Sequence, residues 1–142
     1  VAYQVLKGLA ASGVEVKRHH HTPLRSHTLP PGLTFEKSQR TSSDPLLIIA
    51  PPYQMKSFAP DAQSAVFTMW ECDRLPVASV KHLNAARVVM VPSRWGVECF
   101  RDSGVTVPME IVPLGFDPQV FHPRTPLPFW EGIGEGFTTP WL

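Results

Sequence analysis

The chain has 142 residues, of which 43% are apolar, and this length and composition predict a single domain with a buried core. Its formal net charge is +1 with 18% charged residues, which argues against a nucleic-acid or strongly acidic partner. The longest apolar run, residues 46–50, is far shorter than the roughly 18 residues that a membrane-spanning helix needs. The two cysteines, Cys72 and Cys99, lack metal-ligand spacing, so we expect reduced thiols in a cytoplasmic protein, with a disulfide as the alternative.

The first third of the chain begins with an amphipathic helix over residues 1–12, which Gly13 can end in the left-handed conformation. Residues 14–18 alternate apolar and charged side chains and therefore predict a strand. Periodicity is poor from residue 19 to 44, where we expect a short strand or helix at residues 33–37. Because the chain opens at Val1 inside a helix, we expect it to be a fragment.

The rest of the chain alternates apolar runs with helical patterns up to residue 112. The predicted helices run from Pro76 to about Ala86 and from Arg94 to Ser103, with Ser93 as N-cap. This repetition predicts a parallel α/β sheet with helices on both faces, whose polar loops open at one edge, where ligands bind in such sheets. The predicted strands are residues 46–50, 65–70, 88–91 and 110–112.

A doubly wound sheet normally begins with a strand and a Gly-rich turn before its first helix. Neither precedes the first helix of this chain. We therefore expect a gap in the middle of the sheet, which the chain closes in another way or which a partner or a lost segment fills.

Three charged residues directly follow the strand predicted at 65–70: Glu71, Asp73 and Arg74. Carboxylates beside a guanidinium can bind sugar hydroxyls, hold a phosphate through the arginine or transfer a proton. The alternative is a solvated turn with a local Asp–Arg pair, which contributes under about 1 kcal/mol. The loop is therefore a candidate binding site, unless it is only such a solvated turn.

Two further candidates follow neighbouring strands. Ser93, Arg94 and Trp95 open a helix whose free N–H groups suit a phosphate or carboxylate, unless Ser93 is a plain N-cap and Trp95 packs in the core. Tyr53 follows two prolines and offers an aromatic platform for a sugar, unless this stretch is only a rigid exit from the strand. Three consecutive histidines, residues 19–21, make a poor chelate, so we expect no metal site.

Three motifs follow one another within residues 67–123. They are Met-Trp-Glu-x-Asp-Arg-Leu-Pro, then Val-Pro-Ser-x-Trp-x-x-Glu-x-Phe-x-x-Ser-Gly-Val, and then Val-Pro-Leu-Gly-Phe-Asp followed by Phe-x-Pro. In this order and spacing they resemble group 1 glycosyltransferases, which have the two-lobed GT-B fold. The resemblance covers the end of the N-terminal lobe and the crossing into the second lobe.

The resemblance implies retaining, metal-independent sugar transfer from a nucleotide-sugar, which is a substrate, so no cofactor is expected. It places Glu71, Asp73 and Arg74 beside the cleft on the acceptor side, and Gly115 and Asp117 at the hinge between lobes. Residues 1–123 would form an incomplete Rossmann-like acceptor-side lobe, and residues 124–142 a Pro/Gly/aromatic tail or interlobe linker. Only 19 residues follow Pro123, so we expect the donor-binding lobe to be missing and the isolated chain to be inactive.

Two alternatives to a transferase remain open at this point. One is a non-catalytic binding or scaffold module derived from half a transferase. The other is an unrelated Rossmann-like enzyme, against which the absence of a GxGxxG motif argues. Apolar surface left open by a missing strand and lobe leads us to expect self-association, or a cover formed by the aromatic tail.

Overall fold

The computed structural model describes residues 2–17, 39–116 and 118. Four short strands alternate with helices over most of this part of the chain, as the sequence predicts. The predicted region 33–37, the histidines at 19–21, Asp117 and the tail from residue 124 lie outside the described residues. The elements in chain order are α1 (Ala2–Ala11), β1 (Leu46–Ile49), a 3-10 turn (Pro52–Gln54), α2 (Met55–Phe58), β2 (Ser64–Phe67), α3 (Val77–Leu83), β3 (Val88–Val91), α4 (Arg94–Asp102) and β4 (Met109–Ile111).

The strands form one parallel sheet in the order β1-β2-β3-β4, in which each strand pairs with its neighbour in the sequence. The α/β class with a parallel sheet and flanking helices is therefore confirmed. Residues 14–17, predicted as part of a strand, are not one, since they pair with no described strand. The expected gap in the middle of the sheet is accordingly absent among the described strands, and β1 lies at an edge.

The core includes residues of the strands and of the helices that join them. Val66 and Phe67 of β2 are both buried, and successive strand residues point to opposite faces, so both faces of the sheet are covered at β2. The buried cluster joins alternate strand residues to the helices; it includes Ile48, Val66, Val89 and Val91 from the strands and Met55, Leu83, Cys99 and Phe100 from the helices.

Helix ends follow the local sequence closely. Gly13 and Gly104 have φ values of 75° and 102°, so each occupies the left-handed region where a side chain is strained. Gly13 confirms the predicted end of α1, and Gly104 follows Ser103, the C-cap of α4. Ala59 ends α2 in the same region at φ 45° although it is not a glycine.

An ion pair connects the segment before β1 to the segment before β2, at the amino end of the sheet. The Arg40 guanidinium donates to both carboxylate oxygens of Asp61, at 2.7 and 3.0 Å. Asp61 also accepts from the Ser64 hydroxyl at 2.8 Å and from the Gln63 amide at 2.9 Å. These donors hold the pKa of the Asp61 carboxyl well below its usual range, first through the bond from Arg40.

Candidate functional site

The loops that follow the strands share one edge of the sheet, because all four strands are parallel. The loop after β1 contains Tyr53, the loop after β2 contains Glu71, Asp73 and Arg74, and α4 begins directly after β3. The segment after β4 leads to Gly115. Each segment that carries a sequence-predicted site residue thus starts at the carboxyl edge of one sheet.

The charged loop, residues 71–74, is exposed throughout but not loose. The Trp70 indole nitrogen donates to the Arg74 carbonyl oxygen at 2.7 Å, which closes the loop on itself. The Cys99 thiol of α4 donates to the Cys72 carbonyl oxygen at 3.2 Å. The backbone therefore has a defined course while the Glu71, Asp73 and Arg74 side chains stay in solvent.

Two further hydrogen bonds hold the end of the charged loop against α4. The Leu75 amide donates to the Ser103 hydroxyl at 2.9 Å, and that hydroxyl donates in turn to the Cys99 carbonyl at 2.7 Å. Cys99 and Ser103 follow Ser93 by six and ten residues, which is about 9 and 15 Å along the helix axis. The loop backbone thus contacts the second half of α4, not its first turn.

The α4 N-terminus has the predicted cap. The Ser93 hydroxyl accepts a hydrogen bond from the Gly96 amide at 3.1 Å, with Ser93 in an extended conformation. Arg94 is exposed, and 49% of Trp95 is exposed, so packing of Trp95 in the core is ruled out. An indole face and a guanidinium therefore stand beside the first turn of α4.

Tyr53 and Gly115 complete the predicted candidates among the described residues. Tyr53 is 63% exposed in the 3-10 turn after β1, so its ring is accessible as an aromatic platform. Gly115 does not have the positive φ that would explain a glycine, and a Cβ there would meet nothing within 4 Å. Close packing or backbone strain therefore does not require glycine at this position.

A cleft of about 440 Å³ lies beyond the end of β4, and its lining includes no residue of the charged loop. One wall is α1, and the other is formed by Gly115, Phe116 and Pro118. The cleft is open and mostly apolar, and Phe116 is 72% exposed on its rim. Its lining residues are Gln4, Val5, Lys7, Gly8, Ala11, Gly115, Phe116 and Pro118.

The spacing of Cys72 and Cys99 in the sequence does not indicate the contact between them. Cys72 is exposed in the charged loop and Cys99 is buried in α4. Burial raises the pKa of the Cys99 thiol, and the nearby carboxylates of Asp73 and Asp102 act in the same direction. Cys99 therefore stays protonated and able to donate to the loop. The two cysteines are 27 positions apart, so no local pattern in the sequence indicates this proximity.

Comparison of the chain with protein-family models, with curated proteins and with solved structures finds no match. No helix among the described residues is long and apolar enough to cross a membrane. Within the same residues, no three His, Cys, Asp or Glu side chains come together in a way that could hold a metal ion.

Proposed function

We propose that this chain forms the acceptor-side lobe of a GT-B glycosyltransferase, which transfers a sugar from a nucleotide-sugar donor to an acceptor hydroxyl. The observation that supports this most is the shared position of the three motif-bearing loops. Each follows a parallel strand at the carboxyl edge of one sheet, which is where ligands bind in α/β folds.

The residues at this edge have chemistry suited to a sugar acceptor. Glu71 and Asp73 offer carboxylate oxygens that accept from hydroxyl groups, and Arg74 offers donors in a fixed fork. Trp95 and Tyr53 present exposed aromatic rings, on whose faces the C–H groups of a pyranose ring can pack. Hydrogen bonds from Trp70 and Cys99 hold the loop backbone in place, so less conformational entropy is lost when a ligand binds.

The nucleotide-sugar is assigned to a second lobe, as the resemblance implies, with Gly115 and Asp117 at the hinge. The chain would then contribute acceptor binding and one wall of the cleft. Transfer needs no metal under this proposal, because groups of the second lobe would stabilise the leaving diphosphate.

A second candidate function is a non-catalytic binding or scaffold module with the same fold. The apolar residues exposed at the end of β4 and after it favour it, because contiguous exposed apolar surface commonly belongs to an interface. Ile111, Leu114 and Phe116 are 46%, 50% and 72% exposed. Self-association or a partner at this surface would occur under either function, so acceptor binding and transfer decide between them.

Calorimetry of the 142-residue chain with uridine and guanosine diphosphate sugars tests the division of roles. We expect weak or absent binding and no transfer, since the donor is assigned to the second lobe. Micromolar binding of a donor by this chain would contradict that assignment. Transfer by a longer protein that contains these residues and a second lobe, with none by a matched protein lacking them, would support the transferase over the scaffold.

A further inference from the structure

We propose that Cys72 and Cys99 are a modification site at which a reversible disulfide fixes the charged loop, residues 71–74, to α4. The two residues already meet through a hydrogen bond between the Cys99 thiol and the Cys72 carbonyl oxygen, at 3.2 Å. Together with two backbone bonds, this places the Cys72 Cα within about 6 Å of the Cys99 sulfur.

A small movement of the loop would bring the two sulfurs together. A disulfide needs Cα atoms about 4.4–6.8 Å apart. The Cα–Sγ bound and the length of the Cys99 side chain allow a Cα–Cα separation of up to about 9 Å, so the loop would move by up to about 2 Å. Cys72 belongs to an exposed run of bends outside any helix or strand, where the backbone can make this adjustment. Cys99 is held in α4 and keeps its place. The loop backbone would lose the thiol as a hydrogen-bond donor and gain a covalent bond to the same residue.

The two thiols have different exposure, which sets the order of the reaction. Cys72 is exposed and reaches an oxidant first, whereas Cys99 is 5% exposed. With a low-molecular-weight disulfide as oxidant, the Cys72 thiolate attacks one sulfur and releases one small thiolate. The Cys99 thiolate then attacks the Cys72 sulfur and releases the second, so the protein loses two protons and two electrons and the oxidant becomes two thiols.

The Cys99 step is expected to be the slower one. Burial raises the pKa of its thiol, and Asp73 from the loop and Asp102 from α4 oppose the thiolate. The Ser103 hydroxyl, which also contacts Cys99, acts in the other direction. Slow formation of the disulfide and an exposed first thiol are typical of a site that responds to sustained oxidation, in contrast to a permanent structural disulfide.

The consequence for sugar binding rests on the proposed function. Glu71, Asp73 and Arg74 flank Cys72 on both sides, so a disulfide would shift the groups assigned to the acceptor. The Trp70 to Arg74 hydrogen bond spans the same loop and would report the movement through tryptophan fluorescence.

Peptide mapping of the reduced full chain, incubated with oxidised glutathione and digested without reductant, tests the proposal. Trypsin places Cys72 in the peptide 57–74 and Cys99 in the peptide 95–101. We expect a disulfide that joins these two peptides within a monomer. The effective concentration of the Cys99 thiol at Cys72 should be at least about 1 mM, because both belong to one folded chain. The Cys99→Ser variant should instead accumulate glutathione on Cys72. The Cys72→Ser variant should react slowly with oxidised glutathione, because its remaining thiol is buried. Cys99→Ala is a second variant in case Cys99→Ser unfolds.

Two results would overturn the proposal: glutathione left on Cys72 of the wild-type chain with no joined peptides, or joined peptides found only in dimers. Neither result involves a sugar. Acceptor titration of the reduced and oxidised chains is a separate measurement. If the disulfide forms and neither form binds a sugar, the modification site stands and the proposed function fails.

Discussion

The indole nitrogen of Trp70 donates a 2.7 Å hydrogen bond to the carbonyl oxygen of Arg74, four residues further along the chain. This bond closes the charged loop, residues 71–74, into a compact turn. The two residues belong to the first of the three motifs, so the motif contains both the charged side chains and the group that fixes their backbone.

Replacement of Trp70 by Phe should therefore loosen the loop. Phe keeps most of the apolar contact but cannot donate to Arg74, so we expect the free energy of unfolding to fall by about 1 kcal/mol. Amide hydrogen exchange should quicken at residues 71–75. Trp95→Phe is the matched control, because Trp95 is half exposed and outside the loop. Equal exchange rates in the two variants would show that the indole bond does not hold the loop.

Thr68 presents a buried hydroxyl at the end of β2. It is 2% exposed, and its Oγ1 has no hydrogen-bond partner among the described residues. Val has nearly the same shape without the hydroxyl, so Thr68→Val should raise the free energy of unfolding by about 1 kcal/mol. Thr106→Val, at an exposed position, should change it little. A loss of stability in Thr68→Val on denaturant unfolding would mean that the hydroxyl is hydrogen-bonded in solution.

Stability should depend on pH through Asp61. Its pKa is lowered in the folded chain, so its contribution is fully present above the unfolded value of about 3.9 and is lost progressively as the pH falls from that value toward the lower pKa of the folded chain. Asp61→Asn should cost about 1 kcal/mol at neutral pH, a modest figure because 44% of the side chain is exposed. The difference from wild type should shrink below about pH 4.

Denaturant unfolding of both chains between neutral pH and pH 3 checks this expectation for Asp61. Asp102→Asn, an exposed residue at the end of α4, is the control. A difference between wild type and Asp61→Asn that stays constant over the whole range would show that the ion pair with Arg40 does not set the acid sensitivity.

Substitutions in the charged loop should separate turnover from stability. In a protein that contains this chain and a second lobe, Asp73→Ala or Arg74→Ala should lower the transfer rate at least about tenfold, which is about 1.4 kcal/mol of transition-state stabilisation. Unfolding should change by less than about 0.5 kcal/mol, since both side chains are exposed. Arg87→Ala matches Arg74→Ala in residue type and exposure, and Arg87 lies at the opposite edge of the sheet. If both loop variants stay within about twofold of wild type, the loop is a solvated turn.

Periodicity and capping patterns predicted much of the fold. The apolar run at Leu46–Ile49, the strand at Val88–Val91 and the serine cap at Ser93 all form where the sequence places them. These features are local, because a few neighbouring residues decide them. The strand predicted from residue 14 fails for the opposite reason, since alternation alone cannot supply the partner strand that it needs.

Tertiary contacts were harder to predict from the sequence. Val77 shares an apolar helical pattern with Leu83, yet it is 88% exposed. The buried face of α3 carries Ser79 and Leu83, and Val77 lies about 160° from Ser79 around the helix axis. The hydrogen bonds from Cys99 to Cys72 and from Leu75 to Ser103 join residues more than 25 positions apart. Such pairs depend on how α4 packs beside the loop, and no spacing within either segment reveals them.

Titration of the isotope-labelled 142-residue chain with glucose, galactose, mannose and N-acetylglucosamine, followed by amide NMR shifts, tests the central claim most directly. We expect at least one sugar to shift amides at the carboxyl edge, in residues 53, 71–75 and 93–96. Amides at the opposite edge, around Arg40, Asp61 and Arg87, should stay unchanged. Shifts confined to that opposite edge, or no shifts with any of the four sugars, would contradict an acceptor site on this lobe.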